Sequence, residues 1–428
     1  MAWTARAGLM LCLPIVMLMS SAVAVRGETQ KTPIDAGKID AVLSELVDSG
    51  SVNGVSALVY RADQEIYFRS VGFADREAGR PWRRDTLATL YSMTKPITGV
   101  TLMSLYEDGL FDLHEPLAKY LPEYADVQVF AGTGSDGQPI VEAPRRPIKV
   151  IDIFRHTSCL GYGWSDHPVA ILMDEADVFD RSKPLAQMSA DLAATPLFCH
   201  PGEEWRYGAS VDVQARLAEA VTGQSYEDIV TERVLKPLGM SDTGYFVPAT
   251  AKPRLAAGYM RDVSGALTRI PDADVYGFET VKPVQFNGGH GLISTIDDYM
   301  RFALMLQNEG TLDGVQILKP ETIALMSRDH LPAGLRERDF LPTKGQVGFG
   351  LDFAVRIAPP TSADEPYGVT GEFFWDGAAS LLFWVDPKND LTVVFYTQVM
   401  PFDLAAQAKF RRAVYDALDL IDQPRSGE

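Results

Sequence analysis

The chain has 428 residues, 46% of them hydrophobic and 22% charged, a balance that supports a folded core and excludes a disordered polyelectrolyte. At that length one large domain or two interleaved ones are expected. A formal charge of −18 excludes an electrostatic affinity for nucleic acid or anionic lipid.

At the N-terminus, Arg6 precedes the apolar run "AGLMLCLPIVMLMSSAVA", which ends in the small-x-small triplet Ala22-Val23-Ala24. This pattern predicts a secretory signal over residues 1–24, cleaved near Ala24, with a retained anchor as the alternative. Cys12 follows Leu11 rather than a small residue, which argues against a lipoprotein acceptor. The expected location is therefore periplasmic or secreted. Removing the signal takes away Arg6 and no acid, so the mature chain is one charge more acidic still. Beyond it, no run approaches the ~18 apolar residues of a membrane span, and stable membrane insertion is not expected.

Next, Ile39, Val42, Leu43, Leu46 and Val47 form one stripe of a helix over residues 36–49, ended by Gly50. The runs "VSALVYRA" and "EIYFRSVGFAD" follow and predict a hairpin turning at Asp63 and Gln64. A buried helix starting near Ser92 is expected from "YSMTKPITGVTLMSLYEDG". Pro96 fits its first turn, where backbone N–H groups lack intrahelical partners. Residues 115–285 shift to prolines, loops and helical stretches, and the last third returns to strands: "VGFGLDFAVR", "GEFFWDGAASLLFWVDP" and "DLTVVFYTQV". A terminal helix, "FDLAAQAKFRRAVYDALDLI", closes the chain. The expected fold is α/β in the α+β sense, an antiparallel sheet built from both chain ends and flanked by helices. Residues 33–114 and 286–428 would form this discontinuous domain, with 115–285 as a mainly helical insertion.

Ser92 and Lys95 are the only Ser-x-x-Lys pair in the chain. Positions i and i+3 share a helix face, so the pair sets a hydroxyl beside an amine. Such an arrangement makes a serine nucleophile if the amine is neutral. An ordinary lysine has a pKa of about 10.4. A helix N-terminus contributes only ~0.3–1 kcal/mol toward the shift needed, so burial must supply most of it. The alternative is a base elsewhere. Cys159 and Cys199, outside any Cys-x-x-Cys, have no metal-ligand spacing with the six histidines, so no metal is expected. A disulfide between them is allowed, but their spacing does not establish that they meet.

Beyond "YSMTKP", the segments "IKVIDIFRHTSCLGYG", "PGEEWRYGAS", "NGGHGLISTIDDYMRFALML" and "GEFFWDGAASLLFWVDP" occur in an order that resembles the serine β-lactamase and penicillin-binding-protein superfamily. Within it, the chain is most similar to class C β-lactamases and family VIII carboxylesterases. The resemblance implies the β-lactamase/transpeptidase-like fold, with Ser92 as nucleophile and Lys95 and Tyr207 as acid and base. Tyr207 could be the working base as a phenolate, or Lys95 as an amine. The second motif of the family commonly carries an Asn where this chain has Ala209, after Gly208. The third, Lys-Thr-Gly or Trp-Gly-Gly, falls on Trp375-Asp376-Gly377, so the lysine is missing and Asp376 departs from both forms. By resemblance the oxyanion hole is the backbone N–H of Ser92 and of Ala378. The resemblance also brings the loops of Cys159 and Cys199 toward the active-site side.

Other residues have blander readings. Trp375, Asp376 and Gly377 are candidate pocket residues, Trp375 as a wall in preference to ordinary sheet packing; Tyr162, Trp164, Phe373 and Phe374 are candidates for which core or surface packing is equally in accord with the sequence. His156 in "RHTS" is expected to order its loop by hydrogen bonds rather than to act as a base. The glycines of "GGHGLIST" read as a tight loop before a helix capped by Ser294 or Thr295. No Gly-x-Ser-x-Gly elbow occurs, which argues against an α/β-hydrolase. The sequence therefore points to an exported serine hydrolase cleaving small carboxylic esters, expected to be short-acyl, without a cofactor. A β-lactamase or D-amino-acid peptidase on the same residues is the alternative, and a penicillin-fold binding protein without turnover is the alternative of another class.

Overall fold

The computed structural model describes residues 1–4, 34–275, 282–362 and 365–421. The expected signal, apart from its first four residues, lies outside the described residues, as does Cys12.

The sheet has eight strands in the order Val347–Phe349, Ala354–Arg356, Phe373–Asp376, Leu382–Asp386, Leu391–Tyr396, Gly54–Arg61, Gln64–Asp75 and Arg80–Pro81. Every pairing is antiparallel. The two chain ends meet in its middle, where Ser56 pairs with Tyr396 and Arg61 with Leu391. The hairpin turns at Ala62 and Asp63, both at positive φ (48° and 59°), one residue earlier than the sequence suggests. "VGFGLDFAVR" is not one strand but a hairpin, Val347–Phe349 against Ala354–Arg356.

Alternation along the strands decides which helix covers which face. Phe383 packs on Tyr299 of the helix Ile296–Gln307, with ring centroids 5.1 Å apart. Its neighbour Trp384 points the other way, onto Phe410 of the helix Leu404–Ala417 at 5.9 Å. Phe395 stacks on the same Phe410 at 4.4 Å. The first helix, Ala36–Asp48, buries Ile39, Leu43 and Leu46, and Asp35 N–H donates to Ala417 O at 2.9 Å. Thr295 caps the Ile296–Gln307 helix, accepting from Asp298 N–H at 3.2 Å.

The chain turns tightly through Tyr91–Met93 before the helix Thr94–Glu107, which is buried from Thr94 to Leu105. A helix buried all round needs neighbours on every side. It packs on Ser210–Thr222, and Gly99 admits the loop at Asp352, because a Cβ there would lie 2.6 Å from Asp352 Oδ2. Residues 115–285 contain the helices Val150–Phe154, Pro168–Glu175, Leu185–Ala194 and Ser210–Thr222. They also carry two hairpins not expected from the sequence, Val129–Thr133 with Pro139–Glu142 and Tyr259–Arg261 with Leu267–Arg269. The second pairs in parallel with Val399–Met400, just beyond the last long strand. Cys159 and Cys199 form a disulfide, their Cα atoms 5.3 Å apart.

Candidate active site

The tight turn at Tyr91 (φ 48°) delivers Ser92 and Lys95 to the floor of a cleft of about 280 Å³. Ser92, Lys95, Tyr162, Trp164 and Ala378 all line this cleft, joined by Tyr91, Phe179, Met400 and His290. Its exposed surface is mainly apolar, as in many small-molecule sites, with Arg181, Asp274, Gln285 and Asn287 also on the lining. Trp164 lies 77% exposed at the mouth and stacks on Tyr162 at 4.2 Å and 18°.

Lys95 Nζ donates to Ser92 Oγ at 3.2 Å and to Gly289 O at 2.7 Å. It sits 4.6 Å from the centroid of the Tyr207 ring and 5.8 Å from that of Tyr162. Burial pulls its pKa down from 10.5 to about 8, against the opposing charges of Asp212, Asp352 and Asp376. Deprotonated, the amine keeps N–H groups for Gly289 O and gains a lone pair to accept the Ser92 proton. At pH 7 a lysine of pKa 8 is neutral in about one molecule in ten, against about one in three thousand for an ordinary one.

Tyr207 flanks Lys95 within a ring of aromatics: His156 at 4.9 Å, Phe340 at 5.2 Å, Trp375 at 5.6 Å and Trp205 at 6.0 Å. Burial pushes its hydroxyl pKa well up, so the group is a phenol at neutral pH. Ser92 and Trp375 pull the other way, yet no hydrogen bond of standard geometry joins the hydroxyl to either. Gly208 follows because any Cβ there would lie 2.2 Å from Leu160 O, on the segment running from the disulfide to Tyr162.

The third motif is arranged differently from the sequence expectation. Trp375 and Phe373, 1% and 2% exposed, face inward on the same side of their strand and do not line the cleft. Phe374 is buried with them, and Phe373 packs on Phe353 at 5.2 Å. Asp376 does not face the cleft either; the opposite alternation turns it onto Lys344, with which it forms a buried ion pair. Gly377 makes room for the protein itself, since a Cβ there would come 2.5 Å from Leu90 O. This places the strand end, and Ala378 after it, against the turn that carries Ser92.

His156 is buried with both ring nitrogens lacking hydrogen-bond partners; it packs against Tyr207, Trp205 and Phe349. Its role is aromatic packing and not loop hydrogen bonding, and burial holds its pKa well below 6.5. The "GGHG" glycines belong to the site. Gly288 lies where a Cβ would be 2.2 Å from Val211 O, and Gly289 supplies the carbonyl that holds Lys95. Burial likewise pushes His290 down to about 4, against the pull of Asp212, so its imidazole is neutral. Among the described residues no group of His, Cys, Asp and Glu is arranged to hold a metal ion.

A buried amine on a serine hydroxyl, in a cleft that Ala378 borders just past the end of a sheet strand, has the form of a serine hydrolase site of the β-lactamase/transpeptidase type. The Beta-lactamase family matches residues 39–416, and the chain belongs to it. It is 35% identical over 407 residues to Protein Rv1367c of Mycobacterium tuberculosis, covering 89% of this chain and 98% of that protein. With Esterase EstB of Burkholderia gladioli the identity is 31% over 389 residues, covering 85% and 90%. The solved structure of EstCE1, described as a hydrolase with promiscuous acyltransferase activity, matches at a TM-score of 0.74 and 25% identity, covering 89% of this chain and 98% of that one.

Proposed function

We propose that the protein is an exported serine carboxylesterase that acts through an acyl-enzyme on Ser92. Lys95 takes the Ser92 proton as Oγ attacks the acyl carbon. The backbone N–H groups of Ser92 and Ala378 receive the tetrahedral oxyanion, where one donor is worth ~2.7–4 kcal/mol. Collapse breaks the ester C–O bond, and the proton returns to the leaving alcohol from Lys95 by way of the Tyr207 hydroxyl. Water then repeats the cycle, losing its proton to the same pair and releasing the acid.

The observation that carries this reading is the 3.2 Å contact between Ser92 Oγ and a lysine whose burial brings it to about 8. Export draws support from the leader pattern and from the Cys159–Cys199 disulfide, a bond suited to an oxidising compartment. Ala209 and Trp375 stand where β-lactam enzymes of the family carry Asn and Lys, which favours esters over β-lactams.

The test is a panel of nitrophenyl acyl esters, a chromogenic cephalosporin and D-alanyl peptides, run on wild type and Ser92→Ala. Short neutral esters should turn over, with an acyl adduct on the peptide carrying Ser92, and Ser92→Ala should lose all but background activity. More than a few per cent retained in a verified mutant would remove Ser92 as nucleophile.

A further inference from the structure

Asp212 lies in the first turn of the helix Ser210–Thr222 and is 1% exposed. A buried carboxylate is costly unless donors surround it. Those around Asp212 all belong to residues lining the cleft. Its Oδ1 accepts from Gly289 N–H at 2.9 Å, its Oδ2 from the Tyr162 hydroxyl at 3.5 Å, and His290 Nδ1 stands 3.9 Å away. Gly289 is itself shaped by this approach, because a Cβ there would come within 2.8 Å of Asp212 Oδ2. The other side of the same residue, Gly289 O, takes Lys95 Nζ at 2.7 Å. Ala209, two positions after Tyr207, has no polar side-chain atom with which to hold the lysine.

We propose that Asp212 is a positioning residue for the Ser92–Lys95 pair, its carboxylate fixing the backbone of Gly289 at its N–H, while the carbonyl of the same residue fixes Lys95. The inference rests on the reading of Lys95 as base. Gly289 N–H and Gly289 C=O belong to successive peptide units, so the relay is geometric, set by where the Gly289 backbone lies. It also works against burial, since the Asp212 charge favours the ammonium form of Lys95. Asp212 exerts the largest of three carboxylate pulls on Lys95, ahead of Asp352 and Asp376. Burial holds Asp352 well above the usual carboxylate range, Asp376 is paired with Lys344, and His156 and His290 are neutral. Tyr207 is a phenol, and Tyr162 presents its ring to the amine.

The test compares wild type with Asp212→Asn, which keeps an acceptor oxygen but removes the charge. Lys95 is followed directly, by NMR titration of protein carrying ε-13C lysine, with its signal assigned through Lys95→Arg. The expected result is a Lys95 midpoint at least ~0.5 pH unit lower in Asp212→Asn. The acid limb of kcat/KM for a nitrophenyl ester should move down with it, and kcat should fall about tenfold while KM changes less than about twofold. Gly289→Ala, whose methyl would displace the carboxylate, should lower kcat similarly and stands in if Asp212→Asn does not fold. A Lys95 midpoint and a kcat both unchanged in whichever folded variant is measured would overturn the proposal. A wild type without esterase activity would remove the functional reading instead, and the NMR midpoint alone would still test the positioning.

Discussion

Lys95 and Lys344 are equally buried, each 2% exposed, and both lie among aromatic rings. Lys344 touches a carboxylate, that of Asp376. Lys95 touches a carbonyl and a hydroxyl, while its carboxylates act from beyond contact. That one difference separates a paired cation from the amine proposed as the base. Burial raises the cost of a charge, and a contacting counter-ion offsets it. Where the counter-ion is held off, the amine gives up its proton more readily, and the fold places that amine 3.2 Å from the Ser92 hydroxyl.

Replacing each lysine should break the comparison in opposite ways. Lys95→Ala should cost at least ~10² in kcat on a short nitrophenyl ester, the scale of general base catalysis, with the unfolding midpoint little changed. Lys344→Ala should instead leave Asp376 buried without its partner, and denaturant unfolding should report a loss of ~3–5 kcal/mol. A Lys344→Ala protein of unaltered stability would show that the pair carries no structural weight.

Tyr207→Phe sharpens the assignment of roles. Because burial keeps the Tyr207 hydroxyl protonated, the variant should lose ~10–10² in kcat yet retain the acid limb of the wild-type pH profile. A limb that vanished with the hydroxyl would make Tyr207 the base. The smallest effect is expected at Asp376. The sequence, with an acid beside Trp375, suggests that Asp376 repels anionic substrates and gives neutral esters at least a ~10-fold preference. Since the carboxylate is paired with Lys344 away from the cleft, Asp376→Asn should change the ratio of kcat/KM for neutral and anionic esters less than about twofold.

What the sequence revealed follows the range of each interaction. Ser92 and Lys95 were legible because a helix turn joins them, and the sheet from both chain ends because alternating runs mark strands wherever they fall. Tyr207 needed its flanking pattern as well. The contacts that complete the site span long separations: Lys95 to Gly289 crosses 194 positions, Asp212 to Gly289 crosses 77, and Lys344 to Asp376 crosses 32. No local period encodes such partners. An acid set between Val211 and Val213 in "SVDVQARLAEAV" was the one available sign of Asp212. The glycines of "GGHG" looked like a turn because nothing in their own segment reveals that Val211 and Asp212 press against them.

The most direct test of the account is kcat/KM against pH for a short, neutral nitrophenyl ester, corrected for spontaneous hydrolysis. Lys95 with a pKa of about 8 must be neutral to accept the Ser92 proton, so the rate should be low at pH 6 and rise tenfold per pH unit toward a plateau above pH 8. The same limb should be absent from the residual activity of Lys95→Ala. A profile flat from pH 6 to 9 in the wild type, or an identical limb in Lys95→Ala, would show that Lys95 is not the base.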